Sequence, residues 1–99
     1  MPKLAALSFV GTDASGDYPK VVPWQPKRSG DYGRDCAAGR SYYVELHNLM
    51  LLENNPTFLA RVISAQVAGG VWEGVEIGFT QAMAERLLAA EAKAQSLAA

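Results

Sequence analysis

Phe58, Leu59, Val62, Ile63 and Val67 fall on one side of a helix that turns roughly 100° per residue, and Arg61, Ser64 and Ala68 fall opposite. Only Gln66 interrupts the apolar arc. Read as a strand, 58–67 mixes apolar and polar residues on both faces. A hairpin turning on Gly69 and Gly70 is therefore the weaker reading. Local punctuation agrees with a helix. Asn55 suits an N-cap, and Pro56 suits the first helical position, where an N–H would lack a partner anyway. Gly69 and Gly70 follow the last periodic residue, where a left-handed cap favours a residue with no Cβ. The pattern predicts a helix over 56–68.

The next segment carries two periods at once. Val75, Ile77 and Phe79 alternate with Glu76 and Gly78, as in a strand. Gly74, Gly78 and Ala82 are also spaced four apart, which on a helix forms a smooth strip where a second helix can come close. From Thr80 onward the run QAMAERLLAAEAKAQ is rich in strong helix formers. The helical reading extends over about 72–95. The alternative is a strand over 71–79 capped by Thr80.

Upstream, Tyr43, Leu46, Leu49 and Met50 recur at helical spacing. Asp35 is a candidate N-cap, and Pro56 forbids continuation past Asn54 or Asn55. This predicts a helix over 35–53, weakened at Gly39. Residues 4–10, LAALSFV, have the composition of a short strand or an extended strap. Pro19, Pro23 and Pro26 exclude a helix in the stretch that follows. The expected fold is mainly α: one domain over 1–99, with an extended or irregular segment over 1–33, a helical body over 34–95 and a frayed tail over 96–99. The alternative is α+β, with strands near 4–10 and 71–79.

Composition narrows the class without naming a function. An apolar content of 49% argues against wholesale disorder, and a net charge of −1 favours no charged partner for the chain as a whole. Cys36 is the only cysteine, which excludes an intramolecular disulfide and suits a reducing cytoplasm. The apolar run after Lys3 is short for a signal peptide and has no cleavage-type sequence after it. No run reaches the ~20 apolar residues of a membrane span. Charge is uneven, however. Residues 20–40 carry a net +3 and residues 41–99 a net −3.

Each group with chemical potential has a plainer role. His47 has no second His or Cys within a helical turn, so neither a metal site nor an activated nucleophile can be assembled around it. Cys36 near a helix start would gain some thiolate character, which the adjacent Asp35 opposes. Glu73 and Glu76 read as solvated carboxylates favoured by a helix N-terminus. The glycines of GGVWEGVEIG lack the spacing of a phosphate-binding loop. Trp24, set among Lys27, Arg28 and Arg34, could stack on a nucleic-acid base, or pack as part of a strap across the helices. Trp72 reads as a core or interface anchor.

The sequence therefore predicts no catalytic residue, no metal and no cofactor. It predicts a non-catalytic protein-interaction or regulatory module, cytoplasmic and off the membrane. A homodimer formed through the Gly74, Gly78 and Ala82 strip is the expected assembly. The same strip could instead pack inside the monomer against the 56–68 helix. The alternative function is nucleic-acid binding through the basic 20–40 loop, with Lys27, Arg28 and Arg34 solvated.

Overall fold

The computed structural model of the chain describes residues 4–98. Residues 1–3 and 99, at the ends of the expected N-terminal segment and tail, lie outside the described residues. The architecture is mainly helical: α1 spans Tyr32–Glu53, α2 Thr57–Gly69 and α3 Gly74–Ala98. A two-stranded antiparallel sheet, β1 (Gly11–Asp13) and β2 (Lys20–Val22), precedes them.

Residues 4–10 do not form a strand. Leu4–Ala6 is a 3-10 turn, and the bonds Leu7 N–H to Leu4 O and Val10 N–H to Leu7 O, both 3.1 Å, keep the chain turning. The turns drive Leu4 and Phe9 fully into the core. The strands lie instead in the stretch expected to be irregular, paired Gly11 to Val22, Thr12 to Val21 and Asp13 to Lys20. Pro19 and Pro23 flank β2 and occupy none of its paired positions, which is where proline is tolerated in a sheet. After the hairpin the chain runs extended as a strap, joined to the N-terminal turns by Gln25 N–H to Phe9 O at 2.7 Å.

Helix α1 starts a turn earlier than its sequence suggests. Asp31 is the N-cap, with Oδ1 accepting the Arg34 N–H at 2.9 Å. Asp35 is buried and accepts from the Ser29 N–H and hydroxyl at 2.9 and 2.7 Å, pinning the end of the strap to α1. At the other end Asn54 adopts a left-handed cap (φ 50°). The α1–α2 junction falls at Asn55 and Pro56, but one residue on from the expected caps: Pro56, with helical torsions, is the N-cap of α2, and Asn55 Oδ1 accepts the Thr57 N–H at 3.0 Å just before it. Gly70, at φ 68°, closes α2.

The 71–79 stretch is not a strand: α3 begins at Gly74. Alternation misleads here because Glu76, read as the polar face of a strand, is itself buried. On the helix Val75, Gly78, Phe79 and Ala82 share one buried face. That face lies on α1 and not on α2. Gly74 lies against Tyr32 and Asp35, Gly78 against the backbone of Cys36, and Gly39 against the backbone of Val75 and Phe79. Tyr32 at the start of α1 meets Gly74 at the start of α3, and Arg40 further along pairs with Glu85, so α1 and α3 run parallel and α2 is the return connection between them. A Cβ at Gly39 or Gly78 would collide with main-chain atoms of the other helix. The strip expected to form a dimer is thus covered within the monomer.

The core joins all parts of the chain. Phe79 is the hub of an aromatic cluster, with ring centroids 5.1 Å from Trp24, 5.3 Å from Tyr43 and 6.3 Å from Phe9. Leu46, Leu49 and Val62 continue the core toward α2. Edge-to-face aromatic pairs add about 0.5–1.5 kcal/mol each beyond the area they bury.

Candidate functional site

At the N-terminus of α3 the strap meets the helical body. Glu76 is 1% exposed, although its sequence position suggested a solvated carboxylate. Its Oε1 accepts from Arg28 Nη1 at 2.9 Å and from the Glu73 N–H at 3.0 Å. Its Oε2 accepts from Arg28 Nη2 at 2.5 Å and from Trp24 Nε1 at 2.8 Å. The bond to the Glu73 N–H is the back-reaching half of a capping box, with glutamate at the third helical position. The bidentate guanidinium fork supplies the charge that burial requires.

Burial alone would raise the pKa of Glu76. The Arg28 hydrogen bonds, then those from Glu73 and Trp24, outweigh it and hold the carboxyl at about 2 instead of the ordinary 4.5. Arg28 in turn is held further toward its charged form by its hydrogen bond to Glu76. Arg28 Nη1 and Nη2, Trp24 Nε1 and the Glu73 N–H all end on this one carboxylate, so the cluster is a clamp that fixes the strap.

The sequence candidates therefore separate. Trp24 and Arg28 come together on Glu76, with the Trp24 ring packed on Phe9, Tyr42 and Phe79. Arg28 is not a solvated loop cation. Lys27 and Arg34 are exposed, and among the described residues neither side chain makes an ion pair. Trp72, at 58% exposure, stands on the α2–α3 connection away from both. Gly74, Gly78 and Ala82 are buried under α1. Replacing Lys27 and Arg34 with glutamine should leave the unfolding free energy read from urea melts within about 0.5 kcal/mol of the parent, as for unpaired surface charges. Arg28→Gln alone should lower it several-fold more.

The reactive side chains do not converge. His47 Nδ1 lies 3.3 Å from the Tyr43 hydroxyl one turn away. Cys36 is free, and eleven residues of α1, about 16 Å of helix rise, separate it from His47. Among the described residues no three His, Cys, Asp or Glu side chains gather in a metal-binding group. None of the described helices is long and apolar enough to cross a membrane.

Two surface features escaped sequence reading. The first is apolar. Leu51 and Leu52 on α1 are 70% and 65% exposed, and Leu87 and Leu88 on α3 are 66% and 69% exposed. Because α1 and α3 run parallel, all four lie toward the same end of the molecule. On α3 every residue from 84 to 96 is exposed, with the Arg40–Glu85 pair to α1 at the start of this stretch. Near that end His47, Met50, Leu51, Asn54, Asn55 and Pro56 line a mostly apolar groove of about 320 Å³. The second is charged: Arg40, Ser41, Val44, Ala82, Glu85 and Arg86 line a groove of about 370 Å³ between α1 and α3.

Comparison with known proteins adds no relative. The chain matches no protein-family model, no curated protein and no solved structure. Its functional reading rests on its own surface.

Proposed function

We propose that this chain is a non-catalytic protein-interaction module that self-associates through the uncovered half of α3. The observation that carries this reading is the exposure of α3 over 84–96, with Leu87 and Leu88 both mostly in solvent. A lone helix of this length is marginal in water, and helices in proteins gain most of their stability by packing one face. Exposed leucines on two helices at one end form the kind of surface that partners cover. A second copy is the partner that fits best. The segment carries Glu85, Arg86, Glu91 and Lys93, so it is electrically neutral and two copies meet without net repulsion. In a two-fold pair each copy supplies the same uncovered helix to the other. The single free thiol, Cys36, suits a reducing cytoplasm.

The nucleic-acid reading has less support. Its stacking residue, Trp24, packs in the aromatic cluster, and Arg28 is held by both of its terminal nitrogens on Glu76. Light scattering over the micromolar range tests self-association, with a dimer mass expected for the parent. Leu87→Glu with Leu88→Glu should shift the mass to a monomer while helical circular dichroism is kept, because glutamate is a good helix former. A parent that stays monomeric across the accessible range removes the proposal.

A further inference from the structure

We infer that the charged groove between α1 and α3 is a binding site for a phosphate group, bordering the self-association segment and sharing Glu85 and Arg86 with its first turn. Three observations meet there. Arg40 and Arg86 line the groove with Glu85 as its one carboxylate, so its walls carry a net positive charge. Arg40 is only half engaged. Its Nη2 pairs with Glu85, whereas Nη1 is buried and has no hydrogen-bond partner among the described residues. Arg86, on the solvent side, makes no ion pair among the described residues, and the Ser41 hydroxyl stands beside them as a further donor.

The chemistry of these groups selects the ligand. A guanidinium presents a planar fork that matches two oxygens of a phosphate, and two forks with a hydroxyl offer more donors than one carboxylate can accept. A phosphate reaches Arg86 and Ser41 from solvent. The Arg40 side chain is 40% exposed, so its head can turn and offer Nη1 the acceptor it lacks. Val44 and Ala82 give the groove an apolar wall, and about 370 Å³ accommodates a small phosphomonoester. Glu85 sets the limit on charge. By holding Nη2 it leaves the groove one net positive charge.

The test is an NMR titration of the full chain, following the side-chain Nε–H signals of Arg40 and Arg86 and the Ser41 amide. Inorganic phosphate and glycerol 3-phosphate are the two probes, with sodium chloride at matched ionic strength as the reference. Saturable shifts on all three groups with phosphate, absent with chloride, are the expected result. Tighter saturation with glycerol 3-phosphate would place the ligand among phosphomonoesters, and saturation with inorganic phosphate alone would point to the free ion. Arg86→Gln, which removes no internal bond, should weaken binding at least tenfold while leaving the thermal midpoint unchanged, and Ser41→Ala should weaken it less. Linear shifts equal to those of chloride, or unchanged binding in Arg86→Gln, would overturn the assignment.

Discussion

Gly78→Leu should unfold the domain at 25 °C or bring its urea midpoint close to zero. The physical reason is the contact at the α1–α3 crossing. A Cβ at position 78 would meet the backbone carbonyl, carbonyl carbon and Cα of Cys36, none of which can rotate aside. On the facing helix, a Cβ at Gly39 would meet the Val75 carbonyl and the Phe79 nitrogen. Overpacking a side-chain core typically costs about 1–3 kcal/mol. Here the two helices must separate, and the aromatic cluster around Phe79 opens with them, so the cost exceeds that range. Gly69→Ala is the internal control. Nothing lies within 4 Å of a Cβ placed there, and the residue ends α2, so alanine should raise stability by up to about 1 kcal/mol. A Gly78→Leu protein with the parental midpoint would contradict the packing described above.

Arg28→Ala should cost about 3 kcal/mol at pH 7, because it leaves the Glu76 carboxylate buried without its counter-charge. The same clamp sets an acid response. Glu76 titrates at about 2 in the folded chain, below its ordinary 4.5, so the folded state favours the ionised form. Its contribution is fully present above about pH 4.5 and is lost as pH falls through about 2. At about 1.4 kcal/mol per pK unit, the loss across that window is about 3 kcal/mol. Urea melts at pH 7, 4.5, 3 and 2 measure it. Glu76→Gln should flatten the curve between pH 4.5 and 2, since the amide has no proton to gain there. An unchanged acid slope in that variant would assign the acid sensitivity to other carboxylates. Asp35, held below its ordinary value by the Ser29 backbone and hydroxyl bonds, is the next in line.

Both predictions rest on contacts between segments far apart in the chain, and this is where sequence reading stopped. The α1–α2 junction was legible because its causes are local: Asn55 accepts the Thr57 N–H through its own side chain, Pro56 takes the N-cap with helical torsions, and Gly70 takes the left-handed closure. Helical period and propensity located the three helices for the same reason. The start of α1 was less legible. Asp31 and Asp35 are both competent caps, and the choice between them lies in Ser29, which binds Asp35 and leaves Asp31 to cap. The β1–β2 hairpin was hidden because three paired residues per strand are too few to show a period, and the prolines around β2 argued for irregular chain.

The sequence spaces Gly74, Gly78 and Ala82 four apart, which on a helix permits close approach, while leaving a strand over 71–79 open. A strip of small residues specifies proximity and carries no information about the partner. The choice of α1 came from the parallel packing of α1 and α3, which places Gly39 against the same backbone. Glu76 shows the limit most clearly. Its helical position marks it as an acidic residue near an N-terminus, which is ordinarily solvated. Only when the strap crosses that helix do Arg28, 48 residues away, and Trp24, 52 residues away, reach its two oxygens. Periodicity and capping are short-range and can be read along the chain, whereas ion-pair burial and backbone contact depend on which segments meet, and tertiary packing alone decides that.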